Sequence, residues 1–338
     1  LTAPALNLLA LGLLLGCTSR AETPPLPKLQ IDAGRVATVG LSSGAYMATQ
    51  VHFALSDRVH GAALIAGGPY GCAGGDLNTA LSTCMSATEG APDAAALLQQ
   101  LRARAAAGTL PSLGHLDDDR VFVLHGSADD KVSPQVGAAA AELYRGLVAE
   151  APGLRLTSRL DGPFGHLLPQ AGEGGECAVS QAPYLARCGL DAAGDVFAAL
   201  YGPAPSAPAE ATGELRSFDQ SALIGEGPDP VLAEVGYLYV PQQCRDQDCG
   251  LLIAFHGCQQ NADKVGSAFV AEAGFNRWAD AYGVAVLYPQ TRASFAPLNP
   301  NACWDWWGYT GADYDLRSGA QIQWLARTLD ALGLGAGD

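Results

Sequence analysis

The chain has 338 residues, with 19 basic and 34 acidic side chains and a formal net charge of −15. Because such an acidic chain repels phosphate backbones and anionic lipid, these numbers exclude a nucleic-acid partner and favour an uncharged substrate. Only 16% of the residues are charged, whereas 49% are apolar, which excludes disorder and predicts a large buried core.

The first residues have the pattern of an export signal. The apolar stretch 5–16 (ALNLLALGLLLG) has the length of the hydrophobic region of a signal peptide and is too short to span a membrane as a helix. Cys17 follows in a pattern that looks like the lipobox of bacterial lipoproteins, in which that cysteine is acylated. A lipid anchor at Cys17 and ordinary secretion with a chance cysteine both fit. We therefore assign 1–22 to a signal peptide and 23–338 to one folded domain.

Eight further cysteines follow Cys17. An even number of cysteines in an exported chain predicts disulfides. Three pairs lie close in sequence, and local pairing leaves the last two cysteines to bond each other. The expected bonds are Cys72–Cys84, Cys177–Cys188, Cys244–Cys249 and Cys258–Cys303. Metal binding is the alternative, but no CxxC pair or clustered histidine accompanies the cysteines, so we expect no metal and no cofactor.

Short apolar runs alternate with helical stretches along the chain. Strands are predicted at 35–41, 61–66, 121–125, 154–159, 235–240, 251–256 and 284–288, and helices at 45–55, 134–149 and 268–282. Several of these strands are apolar on both faces, as buried parallel strands are. The alternation predicts an α/β fold with a mainly parallel sheet and helices on both faces. A Pro/Ala-rich connector at 202–213 separates two halves of the domain.

The sequence GLSSG at 40–44 lies directly between the first strand and the first helix. This G-x-S-x-G in a strand–turn–helix context is typical of a nucleophile elbow, a sharp turn that exposes a serine above the sheet. Ser42 is therefore the candidate nucleophile, and the amide at the start of the helix would favour developing negative charge. A plain glycine-rich turn is the alternative interpretation.

A nucleophilic serine needs a base and an acid that orients it. Asp129 follows the strand at 121–125, where α/β enzymes place catalytic groups. Asp130 is its rival, and either carboxylate could instead cap the helix that begins at Pro134. Among six histidines, His166 lies in a Gly/Pro-rich loop after a strand and is the candidate base. The order Ser42, Asp129, His166 is that of α/β-hydrolases.

The front half of a hydrolase sheet is missing before Ser42 and occurs downstream instead. The strand at 251–256 leads into Gly257 and Cys258, followed by a helix and the strand at 284–288. Circular permutation, with the connector joining the old termini, is the simplest explanation. The oxyanion donors would then be the backbone N–H groups of Ser43 and Cys258, and a 258–303 bond would hold the second donor rigid. A strand end with a structural disulfide is the alternative.

At this point a family resemblance is specific. Nine segments of the chain resemble those of the single-domain, circularly permuted polyhydroxybutyrate (PHB) depolymerases, which are α/β-hydrolases. They are GLSSGAYMATQ, AGGPYGCA, HGSADD, FGHLLP, GYLYVPQQC, AFHGCQQ, FNRWAD, VLYPQ and CWDWWGY. The resemblance implies Ser42 as nucleophile, with Asp129 and His166 as its partners. It also implies the Ser43 and Cys258 amides as oxyanion donors. All eight cysteines of the domain stand at the family's positions.

The resemblance also implies that Trp304 is a wall of an ester-binding subsite. With Trp306, Trp307 and Tyr309 it forms an aromatic cluster, of which we assign Trp304, Trp306 and Tyr309 to substrate binding; a core cluster is the alternative. We thus expect a monomeric, secreted or lipid-anchored serine hydrolase that cleaves poly(3-hydroxybutyrate) or its oligomers. Adsorption to the polymer would use exposed apolar residues of the domain itself.

Two other functions remain open. The segments HGCQQ, VLYPQ and CWDWW also resemble feruloyl and acetyl-xylan esterases, which are secreted serine carboxylesterases. A non-catalytic surface lipoprotein that binds polymer is the other alternative.

Overall fold

A sheet of eight strands forms the centre of the molecule. The computed structural model describes residues 23–203, 206 and 210–335. The predicted signal peptide, Cys17 and part of the connector therefore lie outside the described residues. The strands are β1 (Ile31–Leu41), β2 (Gly61–Ile65), β3 (Arg120–Gly126), β4 (Arg155–Gly162), β5 (Leu168–Gln170), β6 (Leu185–Arg187), β7 (Glu214–Asp219), β8 (Val235–Val240), β9 (Cys249–Phe255), β10 (Val284–Tyr288), β11 (Ser294–Phe295) and β12 (Leu298–Asn299).

The central sheet has the strand order β4-β3-β2-β1-β9-β10-β8-β7. The six strands from β4 to β10 in this order run parallel, and β8 is antiparallel to both of its neighbours. Strand β1 thus pairs on one side with β2 and on the other with β9, which lies far downstream in the chain. Strand β9 is buried along its whole length, as the continuous apolar run predicts.

Helices cover both faces of the sheet. They are α1 (Ser43–Ala54), α2 (Leu77–Ser82), α3 (Ala94–Ala106), α4 (Pro134–Arg145), α5 (Ala192–Tyr201), α6 (Ala262–Val265), α7 (Phe275–Tyr282) and α8 (Ala320–Ala331). One apolar core contains the inner faces of α1, α3, α4 and α8, and a second contains α5 and α7. The predicted layered α/β architecture is therefore confirmed.

Some elements differ from their predicted bounds. The edge strand β7 was not predicted, because its side chains are mostly polar or exposed. The helix expected over 268–282 is broken at Gly274, whose φ of 88° is the left-handed conformation that glycine favours. A single turn of π-helix, Ala268–Glu272, precedes the break, and α7 follows it.

All four expected disulfides form. The bonds are Cys72–Cys84, Cys177–Cys188, Cys244–Cys249 and Cys258–Cys303. In the part of the chain that the structure describes, no helix is long and apolar enough to cross a membrane.

Candidate active site

Ser42 lies at the sharp turn between β1 and α1. Its φ of 58° and ψ of −122° are strained for a residue with a side chain, as the turn of a nucleophile elbow requires. Both flanking glycines are needed sterically: a Cβ on Gly40 would lie 2.0 Å from the Gly44 carbonyl oxygen, and one on Gly44 would lie 2.2 Å from the Phe255 carbonyl oxygen. The close packing of the turn against β9 therefore fixes the position of Ser42.

Asp129 and His166 form a buried pair. His166 Nδ1 lies 2.9 Å from Asp129 Oδ2, and the two residues are 6% and 9% exposed. The other carboxylate oxygen accepts the backbone N–H groups of Lys131 and Val132, each at 2.9 Å. Burial by itself would raise the pKa of Asp129, but hydrogen bonds from His125 and His166 outweigh burial and hold this pKa well below its ordinary value. The ionised carboxylate thus fixes the orientation of the imidazole.

Asp130, the rival acid, faces away from this pair. Its carboxylate lies 3.2 Å from Lys131 Nζ and accepts a hydrogen bond from Ser180 Oγ. Because of the bond from Ser180, the pKa of Asp130 is also lowered. The structure therefore brings Asp129, and not Asp130, against His166.

Ser42 and His166 line the same cavity, which has a volume of about 380 Å³. No hydrogen bond joins Ser42 Oγ to the imidazole among the described residues, and such bonds are often long before substrate binds. Most of the other side chains around the cavity are apolar. Its walls are formed by Leu41, Leu77, Leu81, Met85, Lys131, Val132, Tyr184, Gly257, Cys258, Gln259, Leu298, Asn299, Pro300, Asn301, Cys303, Trp306 and Trp307.

The two residues expected to supply the oxyanion donors lie near the serine: Ser43 follows it in sequence, and Cys258 lines the same cavity. Within the described part of the chain, neither the Ser43 nor the Cys258 backbone N–H donates to a protein acceptor. A Cβ on Gly257 would lie 3.4 Å from Ser42 Cβ, so the loop after β9 passes directly beside the serine. The Cys258–Cys303 bond ties this loop to the aromatic segment.

The aromatic cluster is divided between core and cavity. Trp304 is 1% exposed, packs edge-on against Phe255 with ring centroids 4.9 Å apart, and is not among the residues that line the cavity. Trp306 does line the cavity and stacks on Tyr46 at 4.4 Å. Tyr309 lies outside the lining, and its hydroxyl donates to the Cys303 carbonyl at 2.8 Å. The structure thus differs from the expectation for Trp304 and Tyr309.

Sequence reasoning missed several cavity residues. Trp307 lines the cavity although it was left out of the expected subsite, and Tyr184 lies edge-on to His166, with ring centroids 6.4 Å apart. Leu77, Leu81 and Leu298 line the cavity while remaining 39%, 46% and 57% exposed. Exposed leucines mark this rim in the structure, but their exposure cannot be read from the sequence.

In the ranges that the structure describes, no group of three or more His, Cys, Asp or Glu side chains could hold a metal ion.

The chain is similar in sequence to known depolymerases. Residues 235–326 match the family model described as Esterase PHB depolymerase. A poly(3-hydroxybutyrate) depolymerase of Delftia acidovorans is 34% identical over 92% of this chain, which spans 62% of that protein's length. A polyhydroxybutyrate depolymerase of Talaromyces funiculosus is 33% identical over 91% of this chain and 92% of that protein. An acetylxylan esterase of Coprinopsis cinerea is 35% identical over 30% of this chain and 23% of that protein.

Solved structures share the fold. The crystal structure of PHB depolymerase from Penicillium funiculosum superposes with a TM-score of 0.80 at 28% identity, covering 92% of this chain and 99% of that one. A serine-to-alanine variant of a PHB depolymerase, complexed with R3HB trimer, matches with the same score and coverage.

The fold and these relatives define the class of protein, which is an α/β-hydrolase of the serine esterase type. The similarity covers nearly the whole described domain and nearly the whole Talaromyces relative. This chain therefore belongs to the PHB depolymerase family.

Proposed function

We propose that this protein hydrolyses the ester bonds of poly(3-hydroxybutyrate) or its oligomers, with Ser42, His166 and Asp129 as its catalytic triad. The observation that carries the proposal is the cavity that holds both Ser42 and an imidazole fixed by Asp129 at 2.9 Å. Poly(3-hydroxybutyrate) depolymerases among the relatives support the substrate class.

The chemistry proceeds through an acyl-enzyme. His166 Nε2 takes the Ser42 hydroxyl proton as the oxygen attacks the ester carbonyl carbon. The carbonyl oxygen gains the negative charge, and the N–H groups of Ser43 and Cys258 donate to it. Collapse of this intermediate breaks the ester bond, and His166 passes its proton to the leaving alcohol. Water, deprotonated by the same imidazole, then releases the acid and restores Ser42.

The lining of the cavity suits a neutral polyester. Trp306, Trp307 and the leucines at the rim offer apolar surface to the methyl groups of repeating hydroxybutyrate units. Burial of such groups contributes about 25 cal/mol per Å² and needs no charge on the substrate. One cation, Lys131, lies in the wall, and its ammonium is paired with the Asp130 carboxylate at 3.2 Å.

Replacement of the nucleophile tests the proposal. Ser42→Ala should lower kcat for p-nitrophenyl butyrate by about 10⁴-fold or more and abolish clearing of polyhydroxybutyrate granules. Ser112→Ala is a matched control, because Ser112 only caps a short helix before β3. Retention of near-wild-type turnover by the Ser42 variant would end the proposal, and so would a failure of the wild type to clear granules.

The same site supports a second substrate class. The similarity to an acetylxylan esterase covers 103 residues of this chain, and a serine hydrolase with this triad could also cleave acetyl or feruloyl esters. Release of acetate from acetylated xylan or of ferulate from its methyl ester, without granule clearing, would favour this alternative.

We further infer that the protein is exported and monomeric. Four disulfides support an oxidising compartment. The lipid anchor at Cys17 is tested by mass spectrometry of the mature N-terminus, and the monomer by light scattering. Circular permutation is supported by β9, which follows the connector in sequence yet pairs with β1 in the sheet.

A further inference from the structure

The imidazole of His256 holds the loop that follows β9. This side chain is fully buried, and its Nδ1 lies 2.7 Å from the Gly257 carbonyl oxygen. The backbone N–H of Thr291 points at the other ring nitrogen, Nε2, at 3.2 Å. Because a backbone N–H can only donate, Nε2 is the acceptor, and the ring hydrogen is on Nδ1. His256 Nδ1–H therefore donates to the Gly257 carbonyl.

This carbonyl belongs to the same peptide group as the Cys258 N–H. A trans peptide is planar, so its C=O and N–H point in opposite directions, and fixing one fixes the other. The Gly257 carbonyl also accepts the Gln260 backbone N–H at 3.2 Å. Gly257 and Cys258 both line the cavity that also contains Ser42.

We propose that His256 is a positioning residue, which aims the Cys258 N–H at the ester oxygen that becomes negative by holding the opposite end of that peptide. The inference rests on the proposed function, because it gives Cys258 the oxyanion role. A preorganised donor stabilises the transition state more than one that must reorient during the reaction.

The surroundings of His256 suit a neutral, rigid donor. Burial lowers the pKa of His256 to about 4, so the ring is uncharged at neutral pH and keeps both the Nδ1 hydrogen and the Nε2 lone pair. Its ring packs 5.5 Å from the Trp304 ring and 6.2 Å from the Phe269 ring, measured between centroids. These contacts restrict the orientation of the imidazole. The buried Trp304 ring thus supports His256 from inside the core.

Two amide substitutions separate positioning from packing. In His256→Asn the side-chain amide reaches the place of Nδ1 and can still donate to Gly257. In His256→Gln the amide reaches the place of Nε2, toward Thr291, and cannot. The measurements are kcat and KM for p-nitrophenyl butyrate, per active site titrated with a fluorophosphonate, so that misfolded protein does not count.

We expect His256→Gln to lower kcat by about 10- to 100-fold with KM within about 3-fold of the wild type. His256→Asn should retain kcat within about 5-fold of the wild type. The inhibition constant of n-butylboronic acid, whose tetrahedral serine adduct places an oxygen at the oxyanion position, should rise in His256→Gln in proportion to the loss of kcat. Equal losses of kcat in the two variants would overturn the positioning role.

A measurement on the wild type covers the case in which neither variant folds. Long-range ¹⁵N–¹H NMR of histidine-labelled protein, assigned through contacts with the Thr291 amide, should show the neutral Nδ1–H tautomer of His256. The Nε2–H tautomer would overturn the inference. If the wild type neither hydrolyses esters nor reacts with the fluorophosphonate, the proposed function itself has failed, which is a different outcome from an active enzyme indifferent to His256.

Discussion

The backbone N–H of His166 donates a hydrogen bond to Ser180 Oγ at 2.9 Å. Ser180 in turn donates to the carboxylate of Asp130. The N–H of Gly165, just before His166, donates to the Cys177 carbonyl at 2.7 Å. The loop that carries the proposed base is thus tied to a segment closed by the Cys177–Cys188 disulfide.

Removal of the Ser180 hydroxyl should loosen this loop. We expect Ser180→Ala to lower kcat for p-nitrophenyl butyrate by about 3- to 10-fold, because small displacements of a catalytic group are costly. Ser180→Thr keeps the oxygen and is the matched control, with activity close to the wild type. Steady-state kinetics distinguish the two, and an unchanged kcat in Ser180→Ala would show that the tether does not matter for catalysis.

The two neighbouring aspartates should respond very differently to neutralisation. Asp129→Asn removes the carboxylate that fixes the His166 tautomer, so kcat should fall by about 10³- to 10⁴-fold. Asp130→Asn keeps an oxygen that can accept from Ser180, and its kcat should stay within about 3-fold of the wild type. A larger loss in Asp130→Asn than in Asp129→Asn would reverse the assignment of the acid.

The strand–turn–helix around Ser42 was predictable because all the residues that it requires lie close together in the sequence. Two glycines four residues apart, a preceding apolar strand and a following helix all lie within about 20 residues. The acid and base were predicted from their positions after strands, with Asp129 preferred to Asp130, and the structure places the Asp129 carboxylate against His166. The residues around 129 and 130 follow no pattern that shows which of the two carboxylates turns toward the histidine.

The Cys258–Cys303 bond was predicted, but most other contacts between distant segments were not predictable from one sequence. Gln260 Oε1 accepts the Gly257 N–H at 2.8 Å, while its Nε2 donates to the Pro183 carbonyl at 2.8 Å. This buried side chain links the loop after β9 to the segment beside His166, and no local pattern marks it. Trp304 was expected at the cavity from the family resemblance, and the run of aromatics does not reveal which ring faces the core.

The acid stability of the protein should depend on His256. Its pKa is about 4 in the folded protein because burial disfavours the charged ring, whereas the pKa of an unfolded histidine is about 6.5. Between these values the unfolded chain binds the extra proton, so the free energy of unfolding should decrease as the pH falls from 6.5 to 4. The decrease from this one group approaches about 1.4 kcal/mol per pH unit.

Urea unfolding at several pH values between 4 and 7 measures this effect. His256→Asn has no titrating group at this position, so its free energy of unfolding should fall less steeply as the pH decreases. The difference in slope should approach about 1.4 kcal/mol per pH unit. Above pH 6.5 the two curves should run parallel. Parallel curves over the whole range would mean that the folded protein accommodates a charged His256.

Phe295 should serve adsorption to polymer and not ester cleavage. Its side chain is 85% exposed on the hairpin of β11 and β12, and Leu298 on the same hairpin lines the cavity. An exposed ring beside the cavity gains about 25 cal/mol per Å² when it is covered by an apolar solid. Phe295→Ser should therefore weaken binding to a polyhydroxybutyrate film by about 3- to 10-fold.

The matched control is Val148→Ser, since Val148 is 67% exposed and lies beside α4, outside the cavity lining. Turnover of soluble p-nitrophenyl butyrate should be unchanged within about 2-fold in both variants, because neither residue contacts Ser42 or His166. Depletion of enzyme from solution by suspended film measures the adsorption. Equal depletion by the two variants and the wild type would show that polymer is held elsewhere on the surface, whereas a loss of soluble-ester turnover in Phe295→Ser would place this ring in the cleavage step itself.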